Sequence, residues 1–367
     1  MGLPQPYARS GPLRIEEIEL DPPGPGEVLI RIRAAGLCHS DLSVIDGSRP
    51  RLMPMVLGHE AAGEIVELGA GVNDLRVGDH VVTTFVPSCG ACATCAAGRP
   101  ALCEPAFAAN VAGTLLTGSR RLNDPRGDIH HHLGVSAFAE YATVARHSLV
   151  KVDSSLPFDQ AAVFGCAVIT GVGAVANTAQ MPRGASAAIV GMGGVGCAAL
   201  LGARHLGAET IVAVDLADEK LATARALGAT HAFNAGDADC VDAIRDATRG
   251  GVQYAFEMAG AVQALELAYR ITRRGGTTVT AGLPHAQAPI SLSHSSIVAE
   301  ERSIKGSYMG SCVPSRDIPR YIEWFKSGSL PIDRLLSERI GLEDINAGFD
   351  RLAGGRTVRQ LLVPDSS

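Results

Sequence analysis

The sequence predicts an α/β protein in two parts, a mostly antiparallel β domain and a doubly wound parallel-sheet domain. Three observations carry this. Between about Leu13 and Val150, short apolar runs are cut by Gly, Pro and Asp, the texture of many short strands joined by turns. From about Gly165 onward, strand-length apolar runs alternate with helix-length segments, the pattern of a parallel sheet covered by helices. The chain of 367 residues carries 42 glycines and only 4% aromatic residues, which suits a glycine-turned α/β protein better than an aromatic binding platform. Its length allows two domains, each with its own core.

In chain order, EVLIRIRAAG, AAGEIVELGAG and GDHVVTTFV show β-branched residues and alternation and are read as antiparallel, partly barrel-like strands. Glu104–His132 is long, polar and turn-rich, and is expected to be a surface loop lining a cleft. SAAIVGMGGVG, TIVAVD, YAFEMAG and TTVTAGL are read as strands, with helices over Val195–Leu206, Glu219–Leu227, Val241–Ala247 and Ala261–Ile271. The tail after about Ser307 returns to mixed helix and strand and is expected to fold back onto the first domain. The expected boundaries are 1–167 with 309–367 for the first domain and 168–308 for the second.

Charge excludes several partners. The formal net charge is −6, with no long Lys/Arg block, so neither nucleic acid nor an anionic membrane is expected. No run approaches the eighteen or so apolar residues needed to span a bilayer. The start, MGLPQPYARS, has no apolar core of a signal peptide. Nine cysteines in such a chain point to reduced thiols with metal or catalytic roles, and to a cytoplasmic protein.

Four of those cysteines, Cys89, Cys92, Cys95 and Cys103, crowd into CGACATCAAGRPALC. Glycines at 90 and 98 and Pro100 let this lobe, about 88–104, wrap its thiolates around one tetrahedral ion. Closed Cys₄ sets of this kind are structural zinc sites. Cys197, Cys240 and Cys312 have no metal spacing and read as buried small hydrophobes.

AAIVGMGGVG sets Gly191, Gly193 and Gly196 in G-x-G-x-x-G spacing, after an apolar strand and at the start of a helix. Such glycines allow a tight turn and let backbone N–H groups, including those of Gly194 and Val195, approach a pyrophosphate. Asp215 ends the following strand, where its carboxylate accepts from an adenosine ribose and repels a 2′-phosphate. Leu216 and Ala217 offer no arginine to a phosphate. NAD is therefore favoured over NADP.

A second metal set lies apart from the lobe. Cys38 in AAGLCHSDL, His59 and Glu60 in VLGHEAAG, and Cys166 in VFGCAVITG each sit in a glycine-flanked turn. Two thiolates and one imidazole leave Zn²⁺ a fourth position for water or substrate, the mark of a catalytic site. The run His130–His132 is read mainly as loop surface, because adjacent histidines on irregular backbone do not all face one ion.

With these motifs in place, the chain resembles the zinc-dependent alcohol dehydrogenases of the medium-chain dehydrogenase/reductase superfamily, in their class III-like branch. GLCHSDL, LGHEAAGEIVELGAGVNDLRVGDHVV, CGACATCAAGRPALC, GCAVITGVG and GMGGVG carry the likeness through nearly the whole length. The resemblance implies a GroES-like catalytic domain, a Rossmann NAD-binding domain, and two zinc ions per subunit. Cys38, His59 and Cys166 would hold the catalytic ion, with Glu60 able to approach it; Cys89, Cys92, Cys95 and Cys103 would hold the structural one. It implies that Asp41 orients His59 and that Ser40 takes the alcohol proton. Thr170 would touch nicotinamide, Lys220 the adenosine ribose, and His39 and Arg359 the pyrophosphate. Phe85, Arg49, His132 and Leu133 align with substrate-pocket positions.

Two departures from the family pattern stand out. Ser43 occupies the position of a histidine that relays the proton in many members, so the proton leaves through His39 or water. The chain also begins close to LRIEEIEL and is expected to lack part of the family's first strand. The expected reaction is reversible hydride transfer between a primary or secondary alcohol and NAD, in a homodimer. The alternatives are a thiol-adduct (S-hydroxymethyl-thiol) formaldehyde dehydrogenase, using Arg49, Arg120, Arg121 and Arg126 for a carboxylated thiol, and a non-catalytic NAD-sensing protein.

Overall fold

The computed structural model describes residues 4–285 and 287–364. The chain divides into two compact units. One holds the chain through Cys166, Val313–Arg320 and the chain from Leu336 onward; the other holds Ala167–Cys312 and Tyr321–Leu335.

In the first unit, Glu27–Gly36 is the central strand of a seven-stranded sheet. Its alternation places Val28, Ile30 and Ile32 inward, at most 2% exposed, while Arg31 faces out. It pairs antiparallel with Ala61–Leu68 (Ile30 opposite Ile65), with Tyr141–Ala145 (Ile30 opposite Ala142) and with Arg359–Leu362 (Leu361 opposite Gly36). Val81, Val144 and Phe349 pack into the same core. Truncating Ile30 to Ala there removes buried methyl groups and leaves a cavity, at a cost of about 2–5 kcal/mol. The C-terminal strand thus pairs with the central strand of the sheet.

The stretch Glu104–His132 is not a surface loop. It contains the helix Glu104–Ala112, closed by Gly113 at φ 66°, and the strand Leu122–Asp124. Asn110, Leu115, Leu122, Ile129 and His131 are buried. The cause is Glu27, which is inaccessible to solvent and accepts from the Gly24 N–H (2.8 Å), the Thr117 hydroxyl (2.6 Å), the Ser119 hydroxyl and Arg121 Nε (2.7 Å). A polar composition read as solvated is instead folded around one buried carboxylate. Near the N-terminus, the N–H groups of Tyr7 and Ala8 donate to the Asp350 carboxylate, which anchors the short helix Tyr7–Ser10.

The second unit is a six-stranded parallel sheet. Its strand order is His231–Asn234, Thr210–Asp215, Ser186–Val190, Val252–Glu257, Thr272–Thr280, Ser303–Gly306. The chain runs outward from Ser186–Val190 in one direction and resumes beside it at Val252–Glu257. That is a topological switch point, where ligands bind beyond the carboxyl ends of strands. The helix Gly194–His205 follows the first strand at this point; its Ala- and Leu-rich sequence favours helix, and Gly207 at φ 80° ends it.

The expected return of 309–367 to the first domain is corrected in part. Tyr321–Leu335 belongs to the second unit. Tyr321 is fully buried, with its Oη 3.2 Å from Asn177 Nδ2, and Trp324 stacks on His205 at 4.0 Å. Among the described residues, no single helix is long and apolar enough to cross a membrane.

Candidate active site

Cys38 follows the central strand in extended conformation (φ −126°, ψ 152°) and precedes the helix His39–Ile45. Gly36, just before it, has no room for a side chain: a Cβ there would lie 2.5 Å from the Glu60 carboxylate. His59 follows Gly58, which sits at φ 93° and where a Cβ would meet the Phe138 backbone N at 2.5 Å. Cys166 sits in the break between two short helical segments, Val163–Gly165 and Ala167–Gly173, at φ −140° and ψ −68°. Close packing at Gly36 and Gly58 leaves no room for side chains beside Cys38 and His59.

Cys38 Sγ, His59 Nε2 and Cys166 Sγ converge, all within 4.8 Å of one another and all buried. His59 Nε2 lies 3.3 Å from Cys166 Sγ. A tetrahedral zinc, with bonds of about 2.3 Å to sulfur and about 2.0 Å to nitrogen, holds such a pair roughly 3.6 Å apart. The donor set therefore fits zinc, with one position left over. The adjacent Cys166 thiol favours the Cys38 thiolate and Arg359 supports it against burial, so Cys38 is held well below the ordinary thiol value. Cys166 is raised by the same neighbour and by burial.

Asp41 is fully buried on the helix His39–Ile45. Its Oδ1 accepts from the Gly58 N–H at 3.1 Å and lies 3.1 Å from His59 Nδ1. Burial alone would raise its carboxyl, but the positive character of His59 and the bond from His132 outweigh burial and hold it at about 2. Glu60 is the opposite case, pushed up to about 7 by burial although Arg359 opposes the rise. Arg359 is itself 4% exposed; its Nε lies 3.5 Å from Glu60 Oε1 and its Nη1 donates to the Leu37 carbonyl. This expected pyrophosphate contact is thus seen engaged with Glu60 in the first unit.

Ser40 Oγ stands 3.8 Å from Cys38 Sγ, His39 is exposed, and Ser43 Oγ donates to the His39 carbonyl at 2.8 Å. Phe85 meets the His59 ring edge-on at 5.7 Å, and Leu133 is buried at φ 52°. The loop arginines proposed for a carboxylated thiol are otherwise occupied: Arg120 pairs with Asp128, Arg121 with Glu27, and Arg126 with Glu16 and Asp124. The expectation for the triple histidine is corrected, since His131 and His132 are each 1% exposed. His131 Nε2 accepts from the Arg121 N–H, and burial pushes that imidazole down to about 4.

In the lobe, Cys89, Cys92, Cys95 and Cys103 bring their sulfurs within 4.8 Å of one another. Cys92 and Cys103 are 3.9 Å apart, close to the roughly 3.8 Å between two sulfurs on one tetrahedral zinc. Backbone N–H groups point at the sulfurs, from Ala91 and Cys92 to Cys89 and from Cys89 to Cys103, at 3.2–3.4 Å. The Thr94 hydroxyl, helped by a backbone N–H, draws Cys92 down to about 6. Amide dipoles aimed at the Cys89 and Cys103 sulfurs suit thiolates held by a closed structural ion.

In the second unit, Gly191 adopts φ 96°, and a Cβ there would strike Ala259; a Cβ on Gly196 would strike the Gly191 carbonyl. Space above Gly193 is open, with nothing within 4 Å of its notional Cβ, so a phosphate can approach the backbone of Gly193, Gly194 and Val195. The Asp215 carboxylate accepts from the N–H groups of Met192 (2.7 Å) and Ala217 (3.0 Å), tying the strand end to the glycine turn. The Thr170 hydroxyl is buried with no hydrogen-bond partner among the described residues, as a cofactor contact would leave it. Lys220 lies in the first turn of the helix Asp218–Leu227. Sequence reasoning missed Glu257, which is buried at the switch point and accepts from the N–H groups of Ala259 and Gly260 and from the Thr280 hydroxyl. It missed Glu27 too; an acidic residue opening an alternating strand was the available signal.

The chain is similar to known proteins along nearly its whole length. Residues 24–154 match the alcohol dehydrogenase GroES-like domain, and residues 194–327 match the zinc-binding dehydrogenase domain. The chain is 38% identical to an NDMA-dependent alcohol dehydrogenase of Amycolatopsis methanolica, covering 97% of each chain. It is 36% identical to the S-(hydroxymethyl)glutathione dehydrogenase of Paracoccus denitrificans, covering 96% of each. The crystal structure of benzyl alcohol dehydrogenase from Acinetobacter calcoaceticus superposes with a TM-score of 0.91 at 32% identity, covering 96% of each chain.

Proposed function

Since the chain belongs to the zinc-binding alcohol dehydrogenases, we propose that Cys38, His59 and Cys166 hold the catalytic zinc for NAD-linked oxidation of primary or secondary alcohols. The observation that carries this is the buried, open three-donor set at zinc spacing. When bound, zinc acts as a Lewis acid that lets an alcohol proton leave near neutral pH, and NAD takes up the hydride. Asp41 fixes the ring and tautomer of His59 through Nδ1, leaving Nε2 for the ion. Ser40 is the first proton acceptor. Ser43, its hydroxyl bonded to a carbonyl, does not titrate near neutrality, so the proton goes on through exposed His39 or solvent. Cys89, Cys92, Cys95 and Cys103 hold a structural ion that shapes the lobe.

The glycine turn cradles the pyrophosphate with backbone N–H groups, and Asp215 selects NAD by accepting from the ribose. Thr170 and Lys220 serve the nicotinamide and ribose ends. The outer strand Ser303–Gly306 is exposed at all four residues and, among the described residues, has no strand paired on its far side; pairing with a second copy would cover that edge, which supports a homodimer. Nine cysteines, none in a disulfide among the described residues, support a reducing, cytoplasmic setting.

The test is NAD reduction over a panel of aliphatic and aromatic alcohols, with and without added glutathione. Turnover on free alcohols is expected, and Cys38→Ala or His59→Ala should abolish it while the protein stays folded. Turnover retained in both variants would refute the assignment, and strict dependence on glutathione would favour the thiol-adduct reaction.

A further inference from the structure

We propose that His132 is a positioning residue of the metal centre, pinning the Asp41 carboxylate that orients His59. The inference rests on reading Cys38, His59 and Cys166 as the catalytic metal set. The three histidines of the run have separate roles: His130 packs over Gly113, His131 accepts the Arg121 N–H, and His132 turns inward. The His132 imidazole is 2% exposed, and its Nδ1 lies 3.1 Å from Asp41 Oδ1, the oxygen that also meets His59 Nδ1 and the Gly58 N–H at 3.1 Å each. The two imidazoles stand nearly perpendicular, centroids 5.6 Å apart, with the carboxylate shared between them.

The backbone is built to hold this arrangement. Leu133 and Ser136, neither a glycine, adopt φ 52° and 58°, a region that such residues enter only when the surroundings demand it. The His132 N–H donates to Ser136 Oγ at 3.0 Å, and the N–H groups of Val135 and Ser136 donate back to the His132 carbonyl. This strained turn presents one imidazole to one buried carboxylate. A phenyl ring would fill the same space but would leave Asp41 Oδ1 without the ring nitrogen that now stands 3.1 Å from it. Without it, Asp41 keeps two N–H donors, and its other oxygen, buried with no partner, is free to swing the carboxylate away from His59. Partners behind a ligating histidine typically change metal affinity 10–100-fold.

The experiment compares the holoenzyme with His132→Phe, which keeps the volume and loses the donor, and His132→Asn, which restores an N–H near Nδ1. Zinc release to a chromogenic chelator is followed, together with the d–d spectrum after cobalt replaces the catalytic ion. His132→Phe should release one ion at least tenfold faster than the parent with an altered cobalt spectrum, the second ion should leave at the parent's rate, and His132→Asn should recover most of the difference. Parent-like release and spectrum in His132→Phe, or a His132→Asn that behaves like Phe, would overturn the proposal. So would a third zinc equivalent lost only on changing His132, which would make it a ligand. If Cys38→Ala releases zinc in the same two phases as the parent, the catalytic-metal reading itself has failed, a distinct result.

Discussion

Replacing Asp41 by Asn changes one oxygen to an amide and removes a buried negative charge directly behind a metal ligand. The structure allows the cost to be worked in two ways. Holding the carboxyl at about 2 rather than 3.8 corresponds to roughly 2.5 kcal/mol of favourable interaction with the ionised form. Independently, loss of a hydrogen-bonded partner behind a ligating histidine weakens metal binding about 10–100-fold, or roughly 1.4–2.7 kcal/mol. Asp41→Asn should therefore bind the catalytic zinc about 10–100-fold more weakly, read by competition with a chelator of known affinity. The lobe zinc should be unaffected, and kcat/KM for alcohol should fall even when the site is saturated with metal, because the amide also permits the wrong His59 tautomer. Zinc affinity within twofold of the parent would refute the claim that Asp41 orients His59.

Glu27→Gln should destabilise the first unit by about 3 kcal/mol, since it leaves Arg121 unpaired beside a buried amide. Burial alone would raise the Glu27 carboxyl, but the Ser119 and Thr117 hydroxyls, the Gly24 N–H and Arg121 hold it below 4.5. Its contribution is thus complete above that value and is lost as pH falls below it. Denaturant unfolding of the parent should show that loss in acid, and the Gln variant should not. Asp215→Asn should raise the KM for NAD about tenfold or more, as a charged hydrogen bond becomes neutral, and should increase the NADP/NAD ratio of kcat/KM; an unchanged ratio would contradict the ribose role. Cys103→Ala, which removes the most buried sulfur of the lobe, should lower thermal stability and bound zinc by one equivalent while leaving the Cys38 ion in place.

Much of this was legible in the sequence because its signals are local. The four lobe cysteines are close in sequence, so their convergence follows from chain reach alone. The glycine turn and Asp215 lie on consecutive strands whose apolar runs match the buried segments Ser186–Val190 and Thr210–Asp215. What escaped depends on contacts between distant segments. Glu27 meets Thr117, Ser119 and Arg121 across some ninety residues, so polarity in that stretch signalled buried satisfaction rather than exposure. His132 reaches Asp41 only because the turn at Leu133 and Ser136 is left-handed, which no periodicity encodes. Tyr321 and Trp324 are on an amphipathic helix whose partner surface, Asn177 and His205, is likewise invisible from the helix sequence.

The central claim is that this chain carries two chemically different zinc sites, one closed by four thiolates and one held by Cys38, His59 and Cys166. Elemental analysis of the purified parent beside Cys38→Ser tests it most directly. Two zinc ions per chain in the parent and one in the variant, with NAD reduction lost and the fold kept, are the predicted result. One ion in the parent, or an unchanged count in Cys38→Ser, would contradict it.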